Sequence, residues 1–94
     1  MKEVSYSELE ILRSEHPGLL LIDVREPFEH EAYNIGGENI PLGDIMQAGH
    51  RIPSTEPVVV YCRKGVRSRI AIQRLSERYG LQNLVNLAGG LENR

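Results

Sequence analysis

The chain's single cysteine, Cys62, stands where an apolar run ends and a basic one begins: Val58-Val59-Val60-Tyr61 leads into it, and Arg63-Lys64-Gly65-Val66-Arg67-Ser68 follows. The pattern predicts a strand, a tight loop and a helix N-terminus in immediate succession. In that arrangement the peptide N–H groups of the loop and of the first helical turn converge on the sulfur and form a nest that suits an anion. Arg63, Lys64 and Arg67 place positive charge in the same region, so the thiolate is favoured over the thiol without a histidine base. Gly65 supplies the backbone freedom that so tight a curve requires.

A plainer account competes with this one. A lone cysteine in a small protein is most often a buried apolar filler. Fillers sit within apolar runs, whereas Cys62 ends one and is followed by three cations within five residues. Those cations could be a solvated helix start, yet basic residues oppose the dipole at a helix N-terminus, and an anionic ligand would account for them.

Other constellations carry less. His16, His30 and His50 have no metal-ligand spacing among themselves or to Cys62, so no metal is expected and each reads as a surface residue. Glu26, Glu29 and Glu31 read as a solvated helix face, with docking of a basic partner as the alternative.

The elements that must position the cysteine alternate between strand and helix. Ser7 and Glu10 fit a capping box, which predicts a helix from Ser7 to about Ser14 with Leu9 and Leu12 facing the core, ended by His16-Pro17-Gly18. Leu19 to Ile22 is an apolar run suited to a strand covered on both faces, with Asp23-Val24-Arg25 at its C-terminal end. Pro27 starts a helical turn to about Ala32, Glu38-Asn39-Ile40 is extended, and a brief helix spans Asp44 to Ala48. After Cys62, a helix with Ala71, Ile72, Leu75 and Tyr79 on one face is stopped by Gly80. Leu84 to Leu87 forms a last strand and Gly89-Gly90 a turn. Strands separated by helices imply a parallel α/β sheet with its site at the C-terminal strand edge.

The sequence of 94 residues has the length of one domain and shows no internal repeat, low-complexity tract or linker, so a single domain over residues 1–94 is expected. Its 13 acidic and 11 basic residues give a formal charge of -2, which offers no overall reason to bind nucleic acid or an anionic membrane. No apolar run is long enough to span a bilayer, and the polar start MKEVSYSELE does not resemble a secretory signal. One cysteine excludes an intramolecular disulfide, and a reducing, cytoplasmic setting is the natural expectation.

LIDVREPFE, ENIPL, VVVYCRKGVRS and LAGG, in this order and spacing, resemble the rhodanese domain over nearly the whole chain. The resemblance implies an α/β fold with a central, mostly parallel β-sheet flanked by helices on both faces. It implies a catalytic Cys62 that carries sulfur as a persulfide, and no cofactor. The loop of Arg63, Lys64, Gly65, Val66, Arg67 and Ser68 would wrap the transferred sulfur, and Asp23 and Arg25 would support it from the neighbouring strand end. The chain departs from the family where many members have GHIPGA, since Asn34 replaces the histidine and Gly36 the proline, and its Leu91-Glu92-Asn93-Arg94 stands where members commonly continue with a Trp and a further helix.

Loop length separates the two chemistries that this fold hosts. The related phosphatases have an arginine after five intervening residues, whereas from Cys62 that position is Ser68 and the arginines are Arg67 and Arg69. A sulfurtransferase is expected, taking the outer sulfur of a small donor and passing it to cyanide or a cellular thiol in ping-pong fashion. Within the family, Arg63 and Lys64 directly after the cysteine are associated with thiosulfate, and small uncharged residues with mercaptopyruvate. The rival expectation is a persulfide-relay module whose acceptor is a protein, of the kind fused to an adenylating enzyme in sulfur-carrier systems.

Overall fold

The computed structural model describes residues 1–93. Its five strands are β1 Glu3–Val4, β2 Leu20–Asp23, β3 Glu38–Asn39, β4 Val58–Tyr61 and β5 Leu84–Leu87. They form one sheet in the order β1-β5-β4-β2-β3, and every pair is parallel. Four α-helices connect them: α1 Tyr6–Glu15, α2 Pro27–Ala32, α3 Ile45–Ala48 and α4 Val66–Tyr79. Short 3-10 turns at Leu42–Asp44, Gly49–Arg51 and Gly90–Asn93 complete the path.

Apart from Asp23 in β2 and Asn86 in β5, the three inner strands are apolar on both sides, as suits parallel strands covered by helices. Val58 and Val60 of β4 pack with Ile22, Ile45, Ala71, Ile72 and Leu75, which belong to β2, α3 and α4. The opposite face of the same strand places Val59 and Tyr61 against Leu9 of α1, with Leu21, Val85, Leu87 and Leu91. Helices therefore cover both faces. Cys62 belongs to the first of these layers and is almost wholly buried.

Register puts the strand ends that matter side by side. Asp23 of β2 pairs with Tyr61 of β4 and with Asn39 of β3, so the C-terminal end of β2 adjoins the residue before the cysteine. On the other side Asn86 of β5 lies between Val60 of β4 and Glu3 of β1. Helix α4 ends as the sequence predicts, with Gly80 in the left-handed region at φ 67° and its N–H donating to the Ser76 carbonyl.

Two features differ from the sequence reading. The pair Glu3–Val4 is a strand too short and too polar to announce itself, and it exists because β5 offers an open edge. Because β1 runs directly into α1, the helix starts one residue early, at Tyr6, and its cap is Ser5 rather than Ser7. The Glu8 N–H donates to Ser5 Oγ at 3.1 Å and the Ser5 N–H donates to Glu8 Oε1 at 2.8 Å. Ser7-Glu10 has the same spacing but lies inside the helix, where the Glu10 N–H that such a box would cap falls past the first turn and has an intrahelical partner.

Replacing Ser5 with Ala is expected to lower stability by about 1 kcal/mol, and replacing Ser7 with Ala by less than about 0.5 kcal/mol. Urea unfolding of the two variants checks this, and equal losses would place the cap wrongly.

Candidate active site

Four residues make the turn from β4 to α4. Gly65, the residue before α4, has φ +92°, a conformation that an L side chain rarely adopts. A Cβ built there would also come within 3.2 Å of the Gly89 nitrogen and 3.4 Å of the Leu87 carbonyl, so a side chain would crowd the backbone as well as strain φ. The turn aims two peptide groups at the sulfur: the Gly65 N–H donates to Cys62 Sγ at 3.1 Å and the Ser68 N–H at 3.4 Å. Ser68 Oγ lies 3.4 Å from the same sulfur.

The outer wall of the turn is fixed from the C-terminal segment. The Leu91 N–H donates to the Cys62 carbonyl and the Glu92 N–H to the Arg63 carbonyl, both at 3.0 Å. These bonds need the backbone to pass close by at Gly90, where a side chain would collide with the same two carbonyls. Above the sulfur opens a hollow of about 250 Å³ lined by Cys62, Arg63, Lys64, Val66 and Arg67. A larger hollow of about 330 Å³ between Asn39 and Arg51 contains no cysteine.

The cations expected around the sulfur are present, and two of them are answered by protein carboxylates. Arg67 forms a two-pronged pair with Glu29 of α2, Nη1 to Oε1 at 2.7 Å and Nη2 to Oε2 at 3.0 Å. Arg63, largely exposed, donates from Nε to Glu92 Oε2 at 2.6 Å. Lys64 is exposed at the lip of the hollow. The basic start of α4 thus has acidic partners from two other elements, an explanation that the linear sequence could not offer. Both arginines keep further N–H donors, since a guanidinium has five.

Glu29 is accordingly no part of a solvated face, although Glu26 and Glu31 are exposed. Its side chain is 18% exposed, and the bonds from Arg67 hold its carboxyl down at about 2 despite the opposing effect of burial. It also accepts the Glu26 N–H, which ties the start of α2 to the cysteine loop.

Asp23 and Arg25 lie beside this loop and form a buried hub. Asp23 is 0% exposed and accepts from the Arg25 backbone N–H, from Arg25 Nε and from Nη2, the last at 2.8 Å. Arg25 Nη2 also donates to the Tyr33 carbonyl at 2.6 Å, and its guanidinium stacks 6.0 Å from the centre of the Tyr61 ring. The Tyr61 hydroxyl donates to the Gly36 carbonyl at 2.8 Å, and burial followed by the nearby Asp23 charge pushes its ionisation up to about 12. The segment where Asn34 and Gly36 replace the family's histidine and proline is therefore held from beneath by Tyr61, with Asn34 bonding the His30 carbonyl and the Gly36 N–H.

Two contributors escaped the sequence reading. His30 is not a plain surface residue: its Nδ1 lies 2.9 Å from Asp23 Oδ2 and its side chain is 22% exposed. His16 and His50 are exposed. Asn86 is fully buried and accepts from the Ser68 hydroxyl at 2.5 Å, while its Nδ2 donates to Glu3 Oε2 at 2.7 Å. One amide in the otherwise apolar run Leu84-Val85-Asn86-Leu87 was the available signal, because a buried polar group needs partners. Among the described residues no group of three acidic, His or Cys side chains could hold a metal ion, and no helix is long and apolar enough to cross a membrane.

The family profile described as Rhodanese-like domain matches residues 6–93. The uncharacterized protein YqhL of Bacillus subtilis is 44% identical over 73 residues, which are 77% of this chain and 57% of that protein. The adenylyltransferase and sulfurtransferase MOCS3 of Drosophila ananassae is 31% identical over 80 residues, covering 77% of this chain but only 18% of that protein. The chain thus spans little more than half of the one relative and less than a fifth of the other. Among solved structures, a rhodanese-like domain protein from Staphylococcus aureus superposes with TM-score 0.87 at 28% identity, over 99% of this chain and 90% of that one. The human single-domain sulfurtransferase TSTD1 gives TM-score 0.79 at 26% identity, over 99% and 94%.

Because the Glu29 carboxyl titrates at about 2 instead of 4.5, its pairing adds stability that is present above pH 4.5 and lost as pH falls towards 2. Glu29→Gln, which keeps an acceptor for the Glu26 N–H, is expected to cost about 1 kcal/mol at neutral pH after solvent screening. Urea unfolding of protein and variant across pH should show the two curves converging at the acid end. A constant gap would mean that the ion pair contributes nothing.

Proposed function

The chain belongs to the rhodanese-like domain family, and from that membership and the site we propose that it is a thiosulfate sulfurtransferase in which Cys62 carries the sulfur. The observation that carries this reading is the sulfur of Cys62 at the base of a hollow, with the Gly65 and Ser68 N–H groups directed at it and Arg63, Lys64 and Arg67 on the walls. In the first half-reaction the Cys62 thiolate attacks the outer sulfur of thiosulfate. A Cys–S bond forms, the S–S bond of the donor breaks, and sulfite leaves with the electron pair and two negative charges. In the second, cyanide or a thiolate attacks the outer sulfur of the persulfide, and the Cys62 thiolate leaves. No proton need move in either step when both reactants are anions. The loop contributes donors fixed before the reaction begins, so charge that develops on sulfur meets oriented N–H groups without reorganisation. A single thiol that must return to its reduced form in each cycle suits a reducing compartment.

A second reading draws on the relatives named adenylyltransferase and sulfurtransferase, in which the matched stretch is a minor part of a longer protein. In it the acceptor is a protein docked over the same hollow. Rapid transfer to a carrier protein combined with slow turnover on small acceptors would favour this relay.

Brief exposure to thiosulfate should add the mass of one sulfur atom to the intact protein, and cyanide should remove it as thiocyanate. Cys62→Ser should abolish both, and turnover retained in that variant would end the proposal. Donor choice is tested separately. Thiosulfate and departing sulfite are compact dianions, so Arg63→Gly with Lys64→Ser is expected to lower kcat/KM for thiosulfate by about tenfold, and for mercaptopyruvate by much less. Equal losses on both donors would show that these two cations do not select between them.

A further inference from the structure

Behind the cysteine runs a line of polar groups that crosses the buried layer from the sulfur to the sheet edge. Cys62 Sγ meets Ser68 Oγ at 3.4 Å, Ser68 Oγ meets Asn86 Oδ1 at 2.5 Å, and Asn86 Nδ2 meets Glu3 Oε2 at 2.7 Å. Ser68 and Asn86 are both 0% exposed. Glu3 closes the line at the surface, where it also accepts from Arg69 Nε at 3.2 Å.

The direction of every bond in this line is fixed by its far end. A carboxylate only accepts, so Glu3 requires the NH2 side of the Asn86 amide, and the Gly65 carbonyl 3.5 Å from Nδ2 requires the same orientation. The bond from Asn86, the foremost of several influences, holds the Glu3 carboxyl below its ordinary range and so keeps it ionised. With Nδ2 turned to Glu3, Oδ1 faces Ser68 and can only accept. The serine hydroxyl has one hydrogen, and Asn86 receives it. What Ser68 Oγ presents to the sulfur is therefore lone pairs.

We propose that Asn86, oriented by Glu3, is a positioning residue that turns the Ser68 hydroxyl away from Cys62, so that the sulfur faces an acceptor and a bare thiolate is disfavoured relative to sulfur already bonded to a proton or to a second sulfur. A thiol S–H can donate to Oγ across 3.4 Å, whereas a thiolate meets lone pair against charge. The Gly65 and Ser68 N–H groups act oppositely, so the sulfur is held between two donors and one acceptor. The consequence for transfer rests on the sulfurtransferase reading. In the persulfide the charge sits on the outer sulfur, about 2 Å beyond Sγ, and the opposition from Oγ is relieved. Discharge brings the charge back to Sγ, so the line slows unloading and lengthens the life of the carried sulfur.

The other charged groups near the sulfur are accounted for. Lys64 and Arg63 lie in its own turn and Arg67 in the first turn of α4, the two arginines paired with Glu92 and with Glu29 of α2, and Asp23, Arg25 and His30 form their own cluster beside β2. None of them bonds Ser68 or Asn86 among the described residues.

The test is the pH dependence of iodoacetamide alkylation, which reports on Cys62 alone because the chain has one thiol. Ser68→Ala removes the acceptor and should move the midpoint to lower pH. Asn86→Leu frees the hydroxyl to donate to the sulfur and should move it further, by about half a unit or more, which is about threefold more thiolate below the midpoint. Asn86→Leu in the Ser68→Ala background should add nothing, because the effect passes through that hydroxyl. A rise of the midpoint in Ser68→Ala would show that the serine donates to the sulfur and would overturn the proposal. So would an Asn86→Leu effect that persists without the serine. Should Asn86→Leu fail to fold, the sign of the Ser68→Ala shift decides. Persulfide on the Asn86→Leu protein, followed by mass spectrometry against a fixed thiol, should discharge about twofold faster. Absence of any persulfide on the native protein would overturn the sulfurtransferase reading and the lifetime effect with it, while the alkylation midpoints would still decide the hydrogen-bond arrangement.

Discussion

One turn of backbone organises this molecule. Between Tyr61 and Val66 the chain changes from strand to helix in four residues, and it can do so while aiming N–H groups at its own cysteine only because Gly65 adopts φ +92°. In that conformation a Cβ at residue 65 would point at the turn after β5, near the Gly89 nitrogen and the Leu87 carbonyl. The position of β5 is thus coupled to the geometry around the sulfur. The parallel register of β4 with β5, and the two backbone bonds from Leu91 and Glu92, hold the turn from opposite sides. A loop so constrained loses little entropy when an anion enters it, which is how pre-organisation contributes to binding.

Charge around the turn is distributed so that it stays available without being isolated. Three arginines follow the cysteine within seven positions, and each is paired with a carboxylate from a different element: Arg63 with Glu92, Arg67 with Glu29 of α2, and Arg69 with Glu3 of β1. These pairs bind the first strand, the second helix and the C-terminal turn to one segment. They also offset the mutual repulsion of the cations and the unfavourable placement of basic groups at the start of α4. Arg67 and Glu29 are the most sheltered of the three pairs, so salt screens them least.

A second buried hub does for β2 what the cysteine turn does for β4. Asp23 and Arg25 are neighbours but one on the chain, and at the end of a strand their side chains meet without leaving it. The pair would be costly to bury without further partners, and these are supplied by the His30 ring, the Tyr33 carbonyl and the Tyr61 ring. Through Tyr61 the hub reaches the Ile35-Gly36 backbone, where two glycines with positive φ let the chain pass close to β2.

Local patterns carried much of this. The run Val58 to Tyr61, the break at Cys62 and the face formed by Ala71, Ile72 and Leu75 determine a strand, a turn and a helix, because each depends on neighbours a few residues away. The same holds for Gly80 as a helix stop, and the order of these patterns was enough to reveal the family. Contacts that join distant positions were not legible. Glu29 and Arg67 are 38 residues apart, and nothing in either neighbourhood marks them as partners. Glu3 and Asn86 are 83 apart, and they meet only because β1 adds to the free edge of β5. The capping box shows the same division within six residues: Ser5-Glu8 and Ser7-Glu10 satisfy one rule equally, and the choice fell to the strand that delivers the chain to α1. Residue types and short spacings thus determined which chemistry Cys62 could do, and the sheet decided which side chains surround it, because strand pairing brings together residues that the chain itself keeps apart.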